Sequence, residues 1–198
     1  MTKIDLSLIQ QLREMTAAGM MDCKKALIEA DGNMEKAKEI LRKKGAAISE
    51  KRADNATCEG LVHAYIHPGA NLGVLIEINC ETDFVARTDD MKKFAHDICM
   101  HIAAINPRFV SAEKVDKAII EKEMIEYREQ LVAQKKPAQI IDKIIEGKLE
   151  KYYEENCLLS QKFVKDDSLT VGDLLQSLVG KLGEKIIIYR FTRFEIGV

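Results

Sequence analysis

The sequence predicts an α+β protein: a three-helix bundle at the amino terminus, then an α/β core in which helices pack on a small antiparallel sheet of about three strands. Three patterns carry that expectation. Apolar residues recur at helical spacing across residues 4–44. Residues 60–79 alternate around a Pro-Gly turn. A β-branched and aromatic run closes the chain at Ile186-Ile187-Ile188-Tyr189-Arg190-Phe191.

In the bundle, Ile4, Leu8, Leu12 and Met15 mark a first helix, with Asp5 or Ser7 as its cap, and Ala18-Gly19-Met20 breaks it. Cys23, Ala26, Leu27 and Ala30 mark a second, ended by the turn residues Asp31-Gly32-Asn33. Met34, Ala37, Ile40 and Leu41 mark a third, expected to stop at Gly45. Residues 46–59 mix small and charged side chains and read as a linker, although their alanines allow some helix. The resulting division is a bundle at 1–45, a linker at 46–59 and a core domain at 60–198.

In the core, Leu61, His63 and Tyr65 alternate with Val62, Ala64 and Ile66. His67-Pro68-Gly69-Ala70-Asn71 turns the chain, and Val74 to Ile78 returns. An amphipathic helix at 91–105 places Phe94, Ile98, Ile102 and Ile105 on one face and ends at Asn106-Pro107. A charged helix from Ser111 to about Lys135, with Ser111 as cap, precedes another that follows Pro137 and carries Ile140, Ile141, Ile144, Ile145 and Leu149. Ser168 or Thr170 begins a last helix lined by Leu174, Leu175 and Leu178, and Lys185 to Ile196 forms the last strand.

Composition narrows the function. The chain has 198 residues, is 46% hydrophobic and 31% charged, and carries a formal net charge of −2. Nucleic-acid binders usually present a strongly basic face, so direct nucleic-acid binding is not expected. No apolar run reaches the roughly 18 residues of a membrane span, and the amino terminus leads into an amphipathic pattern rather than a signal region. A cytoplasmic location follows. The five cysteines, Cys23, Cys58, Cys80, Cys99 and Cys157, are scattered with no C-x-x-C, which fits free, mostly buried thiols. His96, Cys99 and His101 lie near one another on a helix. Spacing alone is weak grounds for a metal site, and none is expected. His63 and His67 read as polar strand and turn residues.

The chemistry of an enzyme is missing. No phosphate-cradling G-x-x-x-x-G-K-[ST] loop occurs. Gly180-Lys181-Leu182-Gly183-Glu184-Lys185 comes nearest, but its lysine follows the wrong glycine. No dinucleotide fingerprint, nucleophile elbow or H-E-x-x-H is present, and Asp166-Asp167 reads as a loop or cap. No cofactor is expected, and the sequence argues for a protein that binds another protein.

The candidate for that contact is Thr82-Asp83-Phe84-Val85, between the buried run Gly73 to Asn79 and the helix from Met91. An aromatic ring beside a carboxylate at a strand-to-helix turn can fill a partner's apolar pocket while its charge perturbs what lies next to it. The competing reading packs Phe84 on its own core. Local sequence favours that one, since most phenylalanines are core residues.

Longer strings decide between them. Leu12-Arg13-Glu14-Met15-Thr16-Ala17-Ala18-Gly19-Met20-Met21-Asp22-Cys23-Lys24-Lys25-Ala26-Leu27 closely resembles the start of bacterial translation elongation factor Ts. Val74 to Arg87, through Asn79-Cys80-Glu81-Thr82-Asp83-Phe84-Val85, resembles that family's second signature. Lys136-Pro137, Ile145-Glu146-Gly147-Lys148-Leu149, Phe163-Val164-Lys165-Asp166 and Arg190-Phe191-Thr192-Arg193-Phe194 follow in the family's order.

The resemblance implies a guanine nucleotide exchange factor for the GTPase elongation factor Tu. It implies that the bundle is ubiquitin-associated-like. It also implies that Phe84 enters an apolar slot of the partner's GTPase domain with Asp83 beside it. Thr82 and Val85 belong to that contact, and Arg13, Gly19, Met20, Met21 and Asp22 touch the same domain through the bundle. Ala17 stands where the family commonly has glycine, and the linker is more polar than usual. Long members duplicate half of the core and insert a coiled coil, whereas this chain resembles short members that pair two chains. A homodimer through the carboxy-terminal strand region is therefore implied. The rival is an adaptor, in which the ubiquitin-associated-like bundle binds helical surfaces without exchange activity. A thiol enzyme built on the His96/Cys99 pair is a third reading and needs an acidified cysteine beside a base.

Overall fold

The computed structural model describes residues 5–16 and 18–197. Ile4 and Ala17, both used in the sequence reading, lie outside them. The element order is α1 (Leu6–Thr16), α2 (Met20–Glu29), α3 (Met34–Lys51), β1 (Glu59–Ile66), β2 (Leu72–Cys80), α4 (Asp83–Ala86), α5 (Asp89–Ile105), α6 (Lys117–Ala133), α7 (Ala138–Asn156), β3 (Lys162–Phe163), β4 (Asp166–Thr170), α8 (Val171–Leu182) and β5 (Ile186–Glu195). The class is α+β. The chain gathers into two compact units. One runs to Ala103 and resumes at Asp173; the other is Ala104–Gly172.

In the first unit, α1, α2 and α3 form the bundle around Ile9, Leu12, Cys23, Ala26, Leu27, Ala37 and Leu41. The stripe on α1 differs from the one expected: Ile9 is buried, whereas Met15 faces outward. Position 31 takes a left-handed backbone (φ 51°), and Gly32 follows at φ 82°. The Gly32 amide donates to the Leu27 carbonyl at 2.8 Å, which closes α2. The Asn33 side chain accepts from the Lys36 amide at 3.0 Å and caps α3.

α3 does not stop at Gly45. It continues to Lys51, through half of the expected linker. The reason is packing. Gly45 lies against α8, where a Cβ at position 45 would sit 2.1 Å from the Gln176 carbonyl oxygen. A glycine read as a terminator is instead the point of closest approach between two helices. Ser49 donates to Gln176 Oε1 at 2.9 Å and continues the same contact.

β1, β2 and β5 form one antiparallel sheet in the order β1-β2-β5. The hairpin register, Glu59↔Cys80 to Ile66↔Gly73, follows the apolar alternation. Gly69 (φ 101°) and Ala70 (φ 54°) make its turn. A bulge interrupts β2–β5 pairing between Glu77 and Ile78. Val74, Ile76, Ile78 and Cys80 bury the inner face of β2. On α5, Met91, Phe94, Ala95, Ile98, Cys99 and Ile102 are buried. The outer face is different: Val62, Ile66, Leu75 and Phe194 are exposed.

In the second unit, Asp116 rather than Ser111 caps α6, accepting from the Ala118 amide at 2.9 Å. Leu131, Ile141 and Ile145 join α6 to α7, with Tyr127, Ile144 and Leu149 around them. The short β3–β4 ladder was not expected from sequence. Ser168 therefore lies in a strand, and α8 begins at Val171. No helix of the described residues is long and apolar enough to cross a membrane.

Candidate functional site

The chain leaving β2 meets a four-residue helix, α4, before α5. Such a segment cannot hold itself, because helix nucleation fixes several residues for very few hydrogen bonds. Side chains hold it instead. Thr82 is its cap, with Oγ1 accepting from the Val85 amide at 3.4 Å. Val85 and Ala86 are buried beneath it. Phe84, on the opposite side, is 82% exposed. The core reading of Phe84 is thus set aside. An aromatic ring this exposed leaves a large apolar surface in water, which a partner's pocket would remove.

Asp83 is half-buried, and its Oδ2 lies 2.9 Å from Arg87 Nη2 one turn on. The pair keeps a carboxylate and a guanidinium on the same turn as the ring. Of the four candidates in this turn, Phe84 presents apolar surface, Asp83 presents charge, and Thr82 and Val85 hold the turn.

Two further carboxylates grip the turn from outside the motif. Glu184 Oε1 accepts from the Thr82 hydroxyl at 2.7 Å, and its Oε2 accepts from the Thr82 amide at 3.0 Å. Glu81 Oε1 accepts from the Lys185 amide at 2.6 Å. Glu81 Oε2 accepts from Arg52 Nη1 at 2.7 Å and Asn55 Nδ2 at 2.8 Å. The Lys185 amide, then Asn55 and Arg52, hold the Glu81 carboxyl below the usual carboxylate range. Sequence reading missed Glu184, because nothing local marks a partner 102 positions away.

The bundle candidates cluster around the α1–α2 connection. Arg13, Met20 and Met21 are exposed. Gly19 is the α2 cap position. Asp22 pairs with Lys44 of α3 at 2.6 Å. Arg52, which ends α3, reaches Glu81, so side-chain bonds link the bundle's third helix to the turn that carries Phe84.

The other histidines and cysteines behave differently. His63 Nε2 and His96 Nδ1 are 3.4 Å apart, and Tyr65 Oη meets His67 Nδ1 at 2.9 Å. Burial, then the neighbouring His96, push the His63 pKa down. Cys99 is fully buried, and burial pushes its thiol up to about 12. That is opposite to the acidified thiol a cysteine enzyme needs. Among the described residues, no three His, Cys, Asp or Glu side chains are grouped to hold a metal ion.

An exposed ring on a clamped turn, with apolar methionines displayed on the bundle, is the surface chemistry of the class of proteins that dock on other proteins. Relatives narrow that class. A family model described as elongation factor TS matches residues 5–198. The chain is 55% identical over 195 residues to elongation factor Ts of Fervidobacterium nodosum, covering 98% of this chain and 99% of the relative. It is 54% identical over 194 residues to that of Thermoanaerobacter pseudethanolicus, covering 98% and 95%. It is 52% identical over 195 residues to that of Thermotoga neapolitana, covering 98% of each. The chain belongs to the elongation factor Ts family. The match extends far beyond the bundle and gives no support to a free-standing adaptor.

Proposed function

We propose that the turn Thr82-Asp83-Phe84-Val85 is the element through which this chain opens the nucleotide site of elongation factor Tu. As a member of its family the chain is a guanine nucleotide exchange factor in protein synthesis. The observation that carries the site assignment is the 82% exposure of Phe84 on a clamped turn. Tight GDP binding rests on magnesium, phosphate-cradling amides and the helices that hold them in place. A ring wedged among those helices, with the Asp83 carboxylate beside it, loosens all three together. The bundle residues Arg13, Gly19, Met20, Met21 and Asp22 supply a second hold on the same GTPase domain. The chain itself forms and breaks no covalent bond in this reading and is not an enzyme.

Exchange of this kind obeys reciprocity. If the factor lowers the partner's affinity for GDP, GDP lowers the factor's affinity by the same ratio. The factor therefore speeds exchange without moving the final GDP/GTP balance.

Two finer readings accompany this one. The bundle (1–45) acts as a recognition module and residues 60–198 as the core that carries the wedge, in the cytoplasm. Two chains pair as a homodimer. Its support is the outer sheet face, where Val62, Ile66, Leu75 and Phe194 leave apolar surface in water on β1, β2 and the carboxy-terminal strand β5.

The test is release of a fluorescent GDP analogue from elongation factor Tu with catalytic amounts of this protein. Acceleration that disappears with Phe84→Ala supports the wedge. Acceleration that survives the substitution sinks it while leaving the exchange role standing.

A further inference from the structure

We propose that Glu184 is a positioning residue for exchange: it clamps Thr82 so that Phe84 is already presented when the partner arrives. The inference rests on the reading of Phe84 as the docking side chain. Three observations carry it. First, α4 has four residues and cannot order itself. Second, both oxygens of Glu184 are engaged by one residue, Thr82, through its amide and its hydroxyl. The same Thr82 oxygen caps α4 at Val85, so the carboxylate, the cap and the ring's backbone form one chain of bonds. Third, the grip is reciprocal. Glu184 holds the backbone of Thr82, while Glu81, next to Thr82, holds the backbone of Lys185, next to Glu184. Two neighbouring pairs, far apart in sequence, are locked to each other in both directions.

A turn left loose would populate the presenting arrangement only part of the time. The apparent affinity for the partner then falls by that fraction, while the complex, once formed, is unchanged. A positioning role therefore appears in KM and leaves kcat alone, unlike loss of the ring itself.

The experiment uses the full chain and initial rates of fluorescent GDP release over a range of GDP-loaded elongation factor Tu. Glu184→Ala should raise KM about tenfold with kcat within about twofold of wild type. Glu184→Gln should behave as wild type, because its Oε1 still accepts the Thr82 amide and its Nε2 can donate to the Thr82 hydroxyl oxygen. In the free protein, Glu184→Ala should speed hydrogen exchange at the Thr82 and Val85 amides. If Glu184→Ala proves too unstable to assay, Glu184→Met keeps the length and volume of the side chain without an oxygen for Thr82 and should give the same KM rise. Wild-type kcat/KM in Glu184→Ala, a fall in kcat at constant KM, unchanged amide exchange, or a Gln variant as impaired as the Ala variant each overturns the positioning role. Wild-type release by Phe84→Ala instead overturns the docking reading, and the positioning role with it.

Discussion

At the scale of the residue, two side chains separate folding from function. Phe84 contributes little to the folded state because most of its surface stays in water. Phe84→Ala should therefore leave the melting temperature within a degree or two, about the error of a scan, while binding to elongation factor Tu weakens by about 2 kcal/mol, as for a hot-spot truncation. Calorimetry and GDP release on one preparation check both halves. His63 does the reverse. Its folded-state pKa lies below the ordinary 6.5, so the native protein takes up the proton less readily than the unfolded chain. The associated stability is complete above about 6.5 and declines as pH falls below it. Melting temperature should drop as pH falls below about 6.5, and His63→Gln should flatten that decline. The lowered carboxylates Glu39, Glu81 and Glu113 start from 4.5 and act only at lower pH. At this scale the sequence was half legible. The Thr82–Val85 motif marked a strand-to-helix turn, but whether Phe84 pointed in or out depended on Val85 and Ala86 filling the space below it. Glu184 was invisible, because its role exists only once β5 returns beside β2.

At the scale of the element, most boundaries followed from turn chemistry and periodicity. Asp31-Gly32-Asn33, His67 to Asn71 and Asn106-Pro107 ended what they were expected to end. Two misreadings share a cause. Gly45 and the polar run Asp166-Asp167-Ser168 look like interruptions locally, and tertiary pairing overrides both: one in a helix crossing, the other in a strand. The crossing gives a test. Gly45→Ala places a methyl against a backbone carbonyl that cannot rotate away, so α3 and α8 must separate. We expect a loss of about 3 kcal/mol, the upper end for overpacking. A denaturant midpoint equal to wild type would show that the helices can slide apart at no cost. Gly147, where an added methyl would meet nothing within 4 Å, is the control and should tolerate alanine.

At the scale of the whole molecule, the outer sheet face is the feature a solitary chain explains least. Val62, Ile66, Leu75 and Phe194 lie on three neighbouring strands, and Glu77 with Arg190 adds an ion pair at 2.7 Å. Light scattering at micromolar concentration should give twice the chain mass. Leu75→Lys, which puts a charge in the middle of the patch, should give a single chain mass without unfolding the sheet. A wild-type protein at single mass removes the homodimer. The sequence showed this face only indirectly: an alternating strand tells which residues share a side, but not which side the helices cover.

The five cysteines divide the same molecule another way. Cys58, between α3 and β1, is exposed, while Cys23, Cys80, Cys99 and Cys157 are buried, with thiols pushed up by burial. A thiol reagent should therefore label one site at once and the others only when the fold opens. That makes each slow labelling rate a clock for a different region: Cys23 for the bundle, Cys80 and Cys99 for the sheet and α5, Cys157 for the end of α7. Partner binding that slows the Cys80 clock more than the Cys157 clock would locate, without any substitution, the part of the chain that elongation factor Tu steadies.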